Sequence, residues 1–216
     1  READRVMQTV CHAAYRSSIE LAREKGSFPF YEREAYLESR FVRSLPEDIR
    51  SGIAEHGIRN SHLTAIAPTG TISLLANNVS SGIEPVFEFR FSRKVLNQAG
   101  EYERFDLEDY ALCAWQEQGG DTVNLPTEFI DARSIPPGAH LEMQAVLQAH
   151  VDNAISKTIN VPEGCTFDEF RNLYQSAYEH GLKGCTTFRS NPVTGEILSS
   201  ETDVEQVGME RNGQLC

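Results

Sequence analysis

The sequence lacks a CxxC pair. Its five cysteines, Cys11, Cys113, Cys165, Cys185 and Cys216, are widely spaced and odd in number. They indicate neither a zinc site nor a disulfide scaffold, and a reducing cytoplasm is their natural setting. No apolar run approaches the roughly 18 residues of a membrane span. The charged start (Arg1, Glu2, Asp4, Arg5) is no signal peptide. Basic residues are in deficit, with 20 Lys and Arg against 32 Asp and Glu and a formal net charge of −12. A nonspecific nucleic-acid binder needs clustered Lys and Arg against the phosphate backbone, so this balance argues against that class. It leaves nucleotides open, because backbone N–H groups hold a phosphate without any basic side chain. There is no internal repeat. There is no initiating Met either, which reads as a trimmed start.

What is present is the composition of an ordinary soluble globular domain. The chain has 216 residues, 40% hydrophobic and 24% charged, enough for one sizeable core or two small ones. Residues 4–25 place Val6, Met7, Val10, Ala14, Ile19 and Ala22 mostly three and four apart, which predicts an amphipathic helix stopped by Gly26 and Pro29. Residues 32–44 and 46–56 also read as helical, with Pro46 suited to a first turn and Gly57 to the stop. Residues 62–67 form a short apolar run read as a buried strand, and residues 87–96 a second strand with aromatics at Phe87, Phe89 and Phe91. Residues 104–118 have helical spacing through Leu107, Tyr110, Ala111 and Ala114 and stop at Gly119-Gly120.

The last third is the most regular. Residues 135–138 read as a loop, 141–151 as a helix and 154–160 as a β-branched strand. Thr166-Phe-Asp-Glu169 is a capping box opening a helix that runs to about His180, where Gly181 suits the stop. Residues 184–188 then read as another strand. Helix–strand–helix–strand order implies parallel strands with crossover helices, hence an α/β fold. The tail from Asn191 has no periodicity and is expected to be mobile.

Pro68-Thr-Gly-Thr-Ile-Ser73 follows the first predicted strand and opens a short helix. One reading is an anion site. Gly70 would let the backbone turn and approach a ligand, the hydroxyls of Thr69, Thr71 and Ser73 would donate, and the first-turn N–H groups would point the same way. The other reading is a plain strand-to-helix turn capped by Thr71 or Ser73.

The wider sequence bears on that choice. Ala65-Ile-Ala-Pro-Thr-Gly-Thr-Ile-Ser73 with Ser80-Ser-Gly-Ile-Glu-Pro85, then Asp152-Asn-Ala-Ile-Ser-Lys-Thr-Ile-Asn-Val-Pro162, then Gly181-Leu-Lys-Gly-Cys-Thr-Thr-Phe-Arg189 resemble, in order, signatures of ribonucleotide reductase catalytic subunits. The resemblance implies the C-terminal portion of a ten-stranded α/β barrel, with residues 1–190 as its C-terminal half behind a helix-rich N-terminal segment and residues 191–216 as a mobile tail. It implies that Pro68, Thr69, Gly70, Thr71, Ile72 and Ser73 bind the phosphates of a ribonucleoside di- or triphosphate. In the family a loop cysteine becomes a thiyl radical and abstracts the ribose 3′-hydrogen, while a cysteine pair supplies electrons. The product is a 2′-deoxyribonucleotide.

The strand Cys185-Thr-Thr-Phe188 lacks the tyrosine pair by which the oxygen-dependent class relays its radical. The sequence is most similar to the class that generates the radical from adenosylcobalamin. The radical loop and the allosteric region are not found in it. The resemblance therefore implies either a piece of a longer chain or, the preferred reading, the small subunit of a split enzyme. Either would be inactive alone, would need a larger reductase chain carrying the radical cysteine, and would draw on a thioredoxin-type reductant. Two rivals stand beside this: the same region of an oxygen-dependent or anaerobic reductase, and a non-catalytic nucleotide-binding regulatory module.

Other residues have plainer readings. Cys216 suits a redox tail if a second cysteine accompanies it, and a free tail thiol otherwise. Glu84 either shapes the pocket or accepts backbone hydrogen bonds before Pro85. Lys157 in an apolar strand calls for a buried ion pair or a strand end near substrate. Cys11 on its amphipathic helix and Cys185 read as packed small hydrophobes. Of His140, Gln144 and His150, the first two share a helix face, and no third ligand is in evidence to make a metal site. Phe87, Phe89 and Phe91 read as core.

Overall fold

The structure, a computed structural model, describes residues 1–96, 100–189 and 198–199. Cys216 and most of the predicted tail lie outside the described residues. The chain folds as two compact units. One comprises Arg1–Ala67, Leu141–Ser156 and Arg171–Cys185; the other comprises Pro68–His140, Lys157–Phe170 and the segment from Thr186.

The first unit is built on α1 (Glu2–Lys25), α2 (Arg33–Glu38), α3 (Arg40–Arg43) and α4 (Glu47–His56). The buried stripe of α1 runs through Cys11, Tyr15, Ser18, Ile19 and Ala22, with Val6 and Val10 left exposed. It packs with Val42, Leu45, Ile49, Ile53 and Ile58 into one apolar cluster. Gly26 and Gly57 end α1 and α4 at φ 76, a backbone state costly for any side chain. The predicted 32–44 helix is two short ones, broken where Ser39 is extended. Pro46 sits one position before the first helical residue of α4.

Residues 62–67 do not form the expected buried strand. Ile66 alone makes a bridge, parallel to Ile155, and Ala65 and Ala67 are exposed. The reason is a carboxylate. Asp152, 5% exposed, accepts from the N–H groups of Leu63 (2.7 Å) and Thr64 (2.9 Å) and from the Tyr15 hydroxyl (2.9 Å). Those N–H groups are then unavailable to a ladder.

In the second unit, β1 (Arg90–Leu96) pairs antiparallel with β2 (Tyr102–Glu108), in register from Arg90↔Glu108 to Leu96↔Tyr102. This corrects the helix predicted over 104–118. Its first half is a strand held by cross-strand pairs, Arg90 to Glu108 at 2.9 Å and Ser92 to Asp106 at 2.6 Å. Only α6 (Tyr110–Glu117) is helical, and Asp109 caps it by accepting from the Ala111 N–H at 2.8 Å. Strand β3 (Thr158–Val161) lies parallel to β4 (Thr186–Arg189), in register Thr158↔Thr186 to Val161↔Arg189. A two-residue β5 (Leu198–Ser199) pairs antiparallel with β1.

Three more helices complete the described chain. They are α5 (Gly70–Leu75), α7 (Pro137–Gln148) and α8 (Phe167–Glu179), so α7 begins inside the predicted loop at 135–138. α8 lies in the connection from β3 to β4 and starts at the predicted capping box. The Thr166 N–H and hydroxyl both donate to Glu169 at 2.8 Å, and the Glu169 N–H returns to Thr166 Oγ1 at 3.3 Å. Gly181 follows at φ 71. The α/β class and the parallel β3–β4 pair match expectation. The described residues form one three-stranded and one two-stranded sheet and no closed barrel.

Replacing Asp152 with Ala strips the acceptor from three donors at once. The Tyr15 hydroxyl is buried and the two N–H groups are part-buried, and an unsatisfied buried donor costs about 1–3 kcal/mol, so the variant should lose at least ~1 kcal/mol in urea denaturation. Asp152→Asn, which keeps one acceptor oxygen, should lose less. Equal losses would contradict the role assigned to the carboxylate.

Candidate functional site

The 68–73 loop opens α5, as the sequence reading has it, but the turn falls one residue early. Thr69, not Gly70, is left-handed, at φ 48 and ψ 25. A non-glycine residue in that region stores strain, which the surroundings must hold. Here Thr69 Oγ1 accepts the Gly82 N–H at 2.8 Å. Gly70 gives room instead of a turn, since a Cβ built on it would meet no atom within 4 Å. The Ser73 hydroxyl donates to the Val79 carbonyl. Two of the three hydroxyls assigned to an anion thus brace the neighbouring 79–82 segment. Thr69 can still donate its proton, whereas Ser73 has already given its own. Thr71 and Ile72 are exposed, and Ser73 is half-buried. The N–H groups of Gly70, Thr71 and Ile72 belong to the first turn, where no intrahelical acceptor precedes them.

Beside the loop is a cavity of about 460 Å³. Ser73, Asn78 and Glu84 line it with Thr158 and Asn160 of β3 and Phe188 of β4. The strand alternation explains this wall. Thr158 and Asn160 share one face of β3, while Ile159 between them is fully buried on the other. The volume falls in the range of small-molecule sites. Phe87 and Phe91 also line the cavity, whereas Phe89 packs on Phe129 at 5.3 Å between ring centroids. All three are half-buried, so none of them belongs to the fully buried core.

Glu84 and Lys157, assigned separately from sequence, meet. Lys157 Nζ lies 2.7 Å from Glu84 Oε2, with the lysine side chain 1% exposed and the glutamate 24%. The ammonium also donates to the Thr158 carbonyl, and the Thr158 N–H donates to Glu84 Oε1. Glu84 therefore combines both readings offered for it, as cavity wall and as backbone acceptor. His140, 2% exposed, has its Nε2 buried without a hydrogen-bond partner among the described residues. Burial, and then the Lys157 charge, lower its pKa from the usual imidazole value.

The remaining candidates are not among the residues that line this cavity. Gln144 donates to the Gly184 carbonyl at 2.7 Å, and His150 Nε2 lies 2.8 Å from Asp4. Burial and the Asp152 carboxylate push the Cys11 thiol up to about 11, so it is a packed group and not a nucleophile at neutral pH. Cys185 is partly buried, and its pKa is raised by that burial. No group of three or more His, Cys, Asp or Glu among the described residues could hold a bare metal ion. Sequence reasoning missed Asp152 as a hub and Asn160 as cavity wall, although both stand in one quoted motif; strand alternation would have found Asn160.

The ribonucleotide reductase barrel-domain profile matches residues 1–188, and the chain belongs to that family. It is 36% identical over 216 residues to a vitamin B12-dependent ribonucleoside-diphosphate reductase of Mycobacterium tuberculosis (strain CDC 1551 / Oshkosh), covering 93% of this chain and 29% of that protein. It is 33% identical over 215 residues to the protein of the same name from Thermoplasma acidophilum, covering 92% and 26%. A ribonucleoside-diphosphate reductase subunit alpha of Mycoplasma pneumoniae is 26% identical over 226 residues, covering 90% and 29%. The chain thus spans between 26% and 29% of the length of these relatives.

His140 gives the site a pH signature. The native state disfavours its protonated form, while the unfolded chain takes up its proton near pH ~6.5. Its contribution to stability is therefore complete above about 6.5 and is lost as the pH falls through that value. Urea midpoints measured between about pH 7.5 and 5 should fall less steeply for His140→Met than for the parent. An unchanged slope would contradict a buried neutral imidazole.

Proposed function

We propose that this chain supplies the substrate-phosphate loop, residues 68–73, and part of the cavity wall of an adenosylcobalamin-dependent ribonucleotide reductase. The observation that carries the reading is the loop itself. Gly70 faces open space beside first-turn N–H groups, and Ser73 of the same loop lines a nucleotide-sized cavity. Family membership and the vitamin B12-dependent relatives support it, as does the absence of a tyrosine pair from Cys185-Thr-Thr-Phe188. The substrate is a ribonucleoside diphosphate, in keeping with the names of the relatives at 33% and 36% identity.

The chain's part in the reaction is to hold and orient. The N–H groups of Gly70, Thr71 and Ile72 and the hydroxyls of Thr69 and Thr71 take the phosphate oxygens. This suits a protein short of basic residues. Fixing the phosphates fixes the ribose relative to the radical cysteine, and orientation of this kind lowers barriers without new bonds. The radical cysteine lies outside this sequence, on a larger reductase chain or an N-terminal region. The β3–β4 pair contributes to the ten-stranded barrel completed there, and a thioredoxin-type dithiol returns the electrons. The assembly works in the cytoplasm; no described helix is long and apolar enough to cross a membrane.

Adenosylcobalamin would supply the radical by homolysis of its cobalt–carbon bond. The cavity of about 460 Å³ is of nucleotide size and not of corrinoid size. The described residues beside the loop therefore do not fit that cofactor.

Gly70→Val puts a side chain into the open space beside the first-turn N–H groups, where a Cβ meets no atom within 4 Å. In the assembled reductase it should raise KM for the ribonucleotide about tenfold, a loss of ~1.4 kcal/mol of binding, with the melting temperature nearly unchanged. A KM equal to that of the parent would remove the phosphate from this loop.

A further inference from the structure

The loop is braced from one side by a path of contacts that starts at a buried cation. Lys157, 1% exposed, pairs with Glu84 at 2.7 Å. Glu84 is the last residue of a tight turn, its N–H donating to the Ser81 carbonyl at 2.9 Å. Inside that turn Gly82, at φ 56, donates its N–H to Thr69 Oγ1 at 2.8 Å. Thr69 is the strained left-handed residue from which α5 and the open face at Gly70 begin. Each link is short and polar, and three of the residues, Thr69, Gly82 and Glu84, sit in two motifs that the sequence separates by a helix.

We propose that Lys157 is a positioning residue for the phosphate loop, acting through Glu84 and the 81–84 turn to hold Thr69 in its left-handed state. The inference rests on the reading of residues 68–73 as the phosphate site. The physical case is one of alternatives. Without the Gly82 N–H, the Thr69 side chain loses the bond that ties it to the 81–84 turn and keeps only the Ser73 N–H on its carbonyl, and relaxation of its strained backbone would re-aim the N–H groups that follow. Without Lys157, Glu84 has one backbone N–H to hold it and a half-open path to solvent. A lysine needed only for folding would affect stability and leave the loop's selectivity alone.

The test is made in the assembled reductase with Lys157→Met, Lys157→Arg and Glu84→Gln, reading KM and kcat separately. Binding of the ribonucleoside diphosphate is compared with that of the nucleoside lacking phosphates. Lys157→Met should raise KM for the diphosphate roughly tenfold with kcat within about twofold, and should narrow the preference for diphosphate over nucleoside, since a displacement of about 1 Å can cost up to a hundredfold. Lys157→Arg, which can still pair with a carboxylate, should restore most of the preference. Glu84→Gln keeps an acceptor for the Thr158 N–H but loses the ion pair, and should shift KM in the same direction. It decides the matter if Lys157→Met does not fold.

An unchanged diphosphate-to-nucleoside preference in the folded variants would overturn the proposal. So would a fall in kcat at constant KM. Gly70→Val separates the two claims. If it raises KM while the Lys157 and Glu84 variants do not, the positioning role fails and the phosphate site stands. If Gly70→Val has no effect, the phosphate site fails first.

Discussion

A lysine ammonium cannot be left unpaired in a protein interior, and in this chain that constraint organises the candidate site. Lys157 stands at the entry to β3, its side chain 1% exposed. Burying its charge obliges a carboxylate to come to it, and Glu84 does so from a loop 73 residues earlier. The same carboxylate takes the N–H of Thr158, so one side chain satisfies a charge and a strand end together. Breaking such a pair on one side usually costs about 3–5 kcal/mol, because the survivor is stranded. The 80–85 segment is thereby held against the sheet, and the cavity has a wall.

A few residues earlier the same segment of chain carries the organising group of the other unit. Asp152 gathers the Tyr15 hydroxyl and the N–H groups of Leu63 and Thr64. The result is a stretch that looks strand-like in sequence but is held by a side chain in place of a ladder. The two units thus share a device. Each uses a polar side chain from residues 152–157 to fix a loop from the 60s or 80s, and each lies on one flank of the 68–73 loop in sequence. Phosphate recognition by backbone N–H groups suits this arrangement, since it depends on loop conformation more than on charge.

The parts of the fold legible in the sequence are those decided locally. The capping box at Thr166 and Glu169, the stops at Gly26, Gly57 and Gly181, and the parallel strands either side of α8 follow from neighbours within a few residues. The misreadings have a common cause. Over 104–118, Leu107 at the end of β2 falls by chance at helical spacing from Tyr110 and Ala111 of α6, and the exposed charged residues of the hairpin hide its alternation. Asp152 could not be read because its donors lie 88 and 137 residues away. Gly70 was legible as the glycine of a strand-to-helix loop, but not in what it does there. A glycine in such a loop can supply either a turn or open space, and only the backbone angles distinguish them. Lys157 and Glu84 were each legible as needing a partner, and the sequence holds no mark that joins them.

The most direct test of the account is a reductase assay with the complementary reductase chain, adenosylcobalamin, a dithiol and a ribonucleoside diphosphate, run with and without this protein. The account predicts deoxyribonucleotide only when this chain, the radical-bearing chain and the cobalamin are all present. Full activity of the complementary chain by itself, or activity indifferent to cobalamin, would contradict it.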